Sequence, residues 1–260
     1  IYIKSSSPRD KMDCILLLGE GNFSYSHELI NSDKFLICTT NESYETTINK
    51  YKNNALKNIR VLSKCNNVKI LYNIDATYIN HPFILRNNII KIVFNFPHLE
   101  FPGKDASLQH NNLLDGLFKE ANKLLAKNGS LEISLFLSLK YRLWDLIGKY
   151  GLHLNAVNII NWSTFTYYNH CTTKLVKNRY ELNDGYYNRL AATWIFSKNY
   201  KDKIEMPKEI DNFNDLINNI YYCDICDKNI NDSIYGDHKN SKSHRNNAWN
   251  ELLKNKKNNP

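Results

Sequence analysis

The chain predicts an α/β fold, a seven-stranded and mostly parallel sheet with helices on both faces, followed by a small metal-binding module. Three observations predict it. Short apolar runs that suit fully buried strands alternate with amphipathic helical stretches at crossover spacing. The first run, Cys14-Ile15-Leu16-Leu17-Leu18, passes straight into Gly19-Glu20-Gly21-Asn22-Phe23-Ser24, the strand-to-helix junction at which parallel sheets hold nucleosides and cofactors. Beyond residue 220 the sequence turns polar and carries two cysteines and two histidines at a regular spacing.

The remaining elements follow in order. Residues 34–40 form a second buried run, and helical spacing then leads from Ile48 through Tyr51, Ala55, Leu56 and Ile59 to Leu62. Residues 68–77 read as a third strand with a polar end, and residues 89–98 as a fourth, stopped by Pro97. A helix over residues 111–126 carries Leu113, Leu114, Leu117, Phe118, Ala121, Leu124 and Leu125 on one face, with Asn128-Gly129 as its stop. A fifth strand spans residues 130–139, and a helix with Trp144, Leu146 and Ile147 follows it. Apolar runs at 152–160 and 191–197 flank a tyrosine-rich connection, residues 167–187, and complete the sheet as a hairpin. Residues 199–220 loosen into a linker around Pro207 with a short helix at 213–220. The expected units are therefore residues 1–198, the linker 199–220 and the module 221–260.

A formal net charge of +8 over 260 residues favours a polyanionic partner such as RNA. No apolar run is long enough to cross a bilayer, so no membrane partner is expected and an intracellular setting is. Six cysteines, four of them scattered, agree with a reducing compartment. The first residue is Ile1, not methionine, so a natural N-terminal region is expected to be missing.

The glycine loop has a physical logic. Gly19 and Gly21 let the main chain turn tightly and bring N–H groups close to a ligand, and Ser24 is placed to cap the following helix. Ser24 also stands where a dinucleotide fingerprint needs its third glycine, so a pyrophosphate is not favoured. S-adenosylmethionine, which has none, fits better. A plain strand-to-helix turn is the alternative at this point.

Cys223, Cys226, His238 and His244 form C-x2-C-x11-H-x5-H. Two thiolates on a turn and two imidazoles on a helix suit tetrahedral Zn²⁺. The wide histidine spacing, with Ser241-Lys242-Ser243-His244-Arg245, resembles the matrin-type zinc fingers that bind RNA. From Lys239 onward six basic side chains face one acid, Glu251, a stripe suited to the phosphates of structured RNA. A protein-binding finger is the alternative.

Four strings carry a more specific resemblance: Gly19-Glu20-Gly21-Asn22-Phe23-Ser24, Asp75-Ala76-Thr77, Phe94-Asn95-Phe96-Pro97-His98 and Gly129-Ser130-Leu131-Glu132-Ile133. In order and spacing they resemble the large-subunit ribosomal RNA uridine-N3 methyltransferase family, over residues 12–198. That resemblance implies a class I, Rossmann-like fold, S-adenosylmethionine as cofactor, ribosomal RNA or a pre-ribosomal particle as partner, and a nuclear, nucleolar location. It implies that Gly19, Glu20, Gly21, Asn22 and Phe23 hold the methionine portion, that Asn41 or Glu42 meets the ribose and that Asp75 and Ala76 border the adenine. Asn95 and His98 then line the acceptor pocket, with Asn95 also bordering the cofactor. Where the family carries a histidine-containing segment with a glycine after its fifth strand, this chain runs Ser134-Leu135-Phe136-Leu137.

On this reading Asn95 bonds the uracil edge, His98 or a nearby carboxylate assists loss of the N3 proton, and the base is unpaired or flipped. Phe23, Phe96 and Tyr44 are the stacking candidates. The competing readings are transfer to a tRNA base or a protein, and a non-catalytic RNA-binding assembly factor that keeps the fold.

Overall fold

The computed structural model describes residues 11–97, 106–136, 143–170, 191–200, 220–223 and 228–231. Seven strands form one sheet: β1 (Asp13–Leu18), β2 (Phe35–Thr39), β3 (Val68–Leu71), β4 (Asn88–Asn95), β5 (Leu125–Phe136), β6 (His153–Ile159) and β7 (Ala191–Ser197). Their order is β3-β2-β1-β4-β5-β7-β6. The first five are parallel, while β7 runs antiparallel to both β5 and β6. The predicted mixed, mostly parallel sheet is therefore present, with the closing hairpin inserted so that its second strand pairs with β5.

Alternation along the buried strands divides the core into two layers. Leu16, Leu18, Ile92 and Phe94 pack with Leu114, Leu117, Phe118 and Ala121 of α4 (Ala106–Leu124). Ile15, Leu17 and Val93 pack on the other face with Tyr51, Ala55, Ile59 and Leu62 of α2 (Tyr44–Leu62). This is the period-two signature of a strand covered on both sides. Two short helices complete the set, α1 (Ser24–Glu28) and α3 (Pro82–Leu85).

Several elements differ from the sequence reading for identifiable reasons. α2 starts four residues before Ile48 because the Ser43 hydroxyl accepts the Thr46 N–H at 3.1 Å, capping it. β3 is short because the N–H groups of Asn73 and Ile74 turn to the carbonyls of Glu42 and Thr40. α4 ends at Leu124 and β5 begins at once; Asn128-Gly129 lies inside the strand span, where pairing steps from Ile89↔Leu125 to Lys91↔Ser130. The expected helix after β5 is a pair of 3₁₀ turns, Leu143–Leu146 and Lys149–Gly151, broken by Gly148 and Gly151 at positive φ. Ile220 opens a strand, β8 (Ile220–Cys223), which pairs antiparallel with β9 (Lys228–Asn231). The rest of the expected helix at 213–220 lies outside the described residues.

Phe118 and Phe196 are both fully buried and meet edge to face at 4.8 Å. Phe118→Ala is expected to lower the unfolding free energy by about 3–5 kcal/mol, read from urea denaturation with the slope unchanged.

Candidate active site

The site is built where the carboxyl ends of β1 to β4 meet. Gly19 leaves β1 at φ 64°, and a Cβ there would lie 2.2 Å from the Phe94 ring of β4. Only glycine fits, because the left-handed backbone and the close ring exclude a side chain together. A Cβ on Gly21 would lie 2.6 Å from the Tyr51 hydroxyl of α2. Gly19 itself is exposed on its other side, so its free backbone faces the sheet edge.

Glu20 turns inward. Its carboxylate is buried and accepts the Ser26 N–H at 3.0 Å and the Ser26 hydroxyl at 2.8 Å. Burial pushes its pKa up to about 7, against which the two Ser26 bonds act. Glu20 therefore holds the first turn of α1, the role expected of Ser24. Phe23 occupies the N-cap at φ 59°, and no side chain caps the helix there. The Phe23 ring is wholly buried against Tyr72, so it is not a stacking surface.

Backbone bonds tie the next loops to this turn. The Glu20 N–H donates to Thr39 O at 2.8 Å, Thr40 N–H to Leu71 O at 3.2 Å and Ile74 N–H to Thr40 O at 2.9 Å. The expected residues after β2 and β3 are thereby brought beside the glycine loop. Asn41 is exposed, while the Glu42 carboxylate is paired with Lys50 at 2.5 Å. Asp75 is exposed and accepts both the N–H and the hydroxyl of Thr77 at 2.7 Å through one oxygen, and Ala76 is buried beneath it. Tyr44 is exposed and meets Tyr72 edge to face.

Asn95 closes β4. Its Oδ1 accepts the Ser134 hydroxyl at 2.7 Å, and Ser134 lies 3.0 Å from the Thr193 hydroxyl. Phe96 follows at φ 50° and packs against Phe136, Trp162 and His170, and Pro97 is buried. Beside Asn95 lies a small cavity walled by Tyr25, Phe96, Glu132, Ser134, Phe165 and Tyr168. His98 lies outside the described residues, as do Cys226, His238 and His244; Cys223 ends β8, and its side chain is not described.

Sequence reasoning missed the roof of this cavity. Segment 162–170 folds back onto α1, where the Glu28 carboxylate accepts the N–H groups of Thr166, Tyr167 and Tyr168 at 2.6–3.1 Å. Burial alone would raise the Glu28 pKa, yet these three donors together hold it below its ordinary value. Asn22 and Ser24 both bind Asn169. His27 stacks on Tyr167 at 4.2 Å. Nothing local signals these contacts, because the partners are more than a hundred residues apart.

The donor set at the sheet edge fits a nucleoside cofactor: an exposed glycine backbone, an exposed Asn41 and an exposed Asp75 line one side, and the Asn95 cavity lies next to them. Fold and site together define a Rossmann-like methyltransferase fold. The profile of the BMT5-like family, described as "rRNA (uridine-N3-)-methyltransferase BTM5-like", matches residues 16–172, more than half of the chain, and the protein belongs to that family. Among similar proteins, "Heavy metal-associated isoprenylated plant protein 41" of Arabidopsis thaliana is 34% identical over 140 residues, 51% of this chain and 27% of that one. "Ferredoxin-fold anticodon-binding domain-containing protein 1 homolog" of Mus musculus is 30% identical over 124 residues, 46% of this chain and 19% of that one. The chain thus covers less than a third of either relative. A solved structure of a 30S ribosomal A1408 methyltransferase from an uncultured bacterium aligns with TM-score 0.42 and 18% identity, over 73% of this chain and 88% of that one.

The Glu20 pKa has a sign that can be tested. A carboxyl raised from 4.5 to about 7 binds its proton more tightly in the folded chain, so its contribution to stability falls as pH rises from about 4.5 to 7. Glu20→Gln keeps an acceptor for Ser26 and removes that dependence. The wild type is expected to lose stability relative to Glu20→Gln between pH 5 and 7.5, by about 3 kcal/mol at most, measured by chemical denaturation across that range.

Proposed function

We propose that the protein is an S-adenosylmethionine-dependent methyltransferase that modifies N3 of a uridine in large-subunit ribosomal RNA. The observation that carries this is the family match over residues 16–172, a span that contains both the 19–24 loop and the Asn95 strand end, which the fold sets on one sheet edge. The backbone of Gly19, Glu20, Gly21, Asn22 and Phe23 would hold the methionine portion. Asn41 or Glu42 would meet the ribose, and Asp75 with Ala76 would border the adenine. For Glu42 to serve the ribose, it must share or leave its Lys50 partner. Bound there, S-adenosylmethionine supplies an electrophilic methyl group.

The chain's own work is at the acceptor. N3 of uridine holds a proton between two carbonyls, so Asn95 is assigned to the base edge and His98 to assisting proton loss. Phe96, in its aromatic cluster, is the remaining stacking surface near Asn95. In paired RNA the N3 edge is hidden, so the target is unpaired or flipped out. The net charge of +8 supports an RNA partner, and a nucleolar location follows from a ribosomal substrate. Among the described residues no helix is long and apolar enough to cross a membrane.

Cys223, Cys226, His238 and His244 are assigned to one structural Zn²⁺ in a finger that contacts structured RNA. Two features support it. The ligand spacing is that of a finger, and Cys223 ends β8, which pairs antiparallel with β9.

Two measurements test these assignments. With labelled S-adenosylmethionine and large-subunit ribosomal RNA, nucleoside mass spectrometry is expected to find 3-methyluridine, and Asn95→Ala to cut the rate by about 100-fold. Label found only in protein, or in a tRNA base, would contradict the assignment. Elemental analysis is expected to find one zinc per chain, lost in Cys223→Ser; retention of the metal in that variant would remove Cys223 from the ligand set.

A further inference from the structure

Within the Asn95 cavity, one buried side-chain atom has no hydrogen-bond partner among the described residues: Asn95 Nδ2. The other end of the same amide already accepts a bond. Ser134 donates its hydroxyl proton to Asn95 Oδ1 at 2.7 Å. A serine hydroxyl has one proton, so its 3.0 Å contact with Thr193 must be supplied by the threonine hydroxyl. The direction of the chain is thereby fixed, from Thr193 to Ser134 to Asn95 Oδ1. Register brings the three groups together, since Asn95 lies opposite Ser134 and Ser134 opposite Thr193 across three neighbouring strands.

We propose that this hydroxyl relay locks the Asn95 carboxamide with its N–H groups facing the pocket, so that the site takes base edges in which an N–H is flanked by a carbonyl and rejects amine edges. Uracil N3 and guanine N1 have such an edge. Adenine and cytosine offer an amine at the corresponding place, which would meet the Asn95 N–H groups donor to donor. Leaving Nδ2 buried and unbonded carries a desolvation cost in the free protein, which a carbonyl oxygen recovers on binding. That oxygen gains negative charge as the neighbouring nitrogen loses its proton, so the donor acts most strongly when the edge is ionised.

Tyr25 fits the same scheme. Burial, then the charges of Glu132 and Glu20, raise its phenol above the ordinary tyrosine range. It lines the same cavity as Asn95, and the Asn95 side chain acts against that rise. Ser134 and Thr193 are positioning residues, acting on the acceptor through Asn95.

The inference rests on the methyltransferase reading, and its test separates the two. Turnover of the full chain on a large-subunit ribosomal RNA transcript is followed against pH for wild type, Ser134→Ala, Thr193→Val and Thr193→Ser, with S-adenosylhomocysteine affinity and melting temperature measured in parallel. Ser134→Ala is expected to lose about 10-fold or more in kcat, with its pH–rate limb moved to higher pH and ligand affinity unchanged. Thr193→Val should fall between, and Thr193→Ser, which keeps the hydroxyl, should match wild type. Wild-type label on uridine N3 or guanosine N1 supports the edge rule, and label on adenosine or cytidine overturns it. Unchanged kcat and pH limb in both Ser134→Ala and Thr193→Val would overturn the relay while leaving the enzyme assignment standing. Absence of any transfer by wild type would defeat that assignment and the inference with it.

Discussion

The contact between Gly19 and the Phe94 ring is the constraint on which the site depends. β1 ends in a left-handed turn that only a glycine adopts comfortably, and the ring of β4 fills the space a Cβ would need. Phe94 pairs with Leu18 in the sheet and immediately precedes Asn95. The exit of β1, whose backbone is the proposed ligand surface, is therefore packed directly on the residue that precedes Asn95. A shift of either strand end moves both halves of the site, as expected of a close-packed interior.

A second layer of control comes from α1. The helix has five residues, too few to persist alone. It is held from behind by Glu20 through Ser26, and from the front by Asn22, Ser24 and Glu28, which grip segment 166–169. One short helix thus links the glycine turn below it to the aromatic roof above the Asn95 cavity. Three backbone N–H groups converging on one carboxylate form a charge-assisted cluster, stronger than neutral bonds of the same length. The roof is consequently fixed to the donor side of the site, although it belongs in sequence to the stretch after β6.

Much of this was legible in the sequence because it depends on local pattern. The buried runs at β1, β2 and β4 announced a parallel sheet, and β7 was bounded correctly at 191–197 by its apolar composition. The glycines were legible as a turn, but their cause was not: Phe94 and Tyr51 demand them, and both contacts are tertiary. The inward turn of Glu20 onto Ser26 was not legible, since nothing in Gly-Glu-Gly tells which way the carboxyl turns. Phe23 likewise looks like a stacking residue until the core claims it. Ser134 and Thr193 did leave a signal, a hydroxyl inside each of the otherwise apolar runs 133–136 and 191–196. Such residues need buried partners, and that rule would have pointed to Asn95 across the register.

The central claim is that the loops after β1, β2 and β3 form one ligand surface adjoining Asn95. Amide chemical-shift mapping during titration with S-adenosylhomocysteine tests it most directly. The account predicts that the amides of Gly19, Glu20, Gly21, Asn41, Glu42, Asp75 and Ala76 move together with a single saturation curve, while those of β6, at the far edge of the sheet, stay in place. Saturable shifts confined to β6 and β7, or no shift in the 19–23 loop, would contradict it.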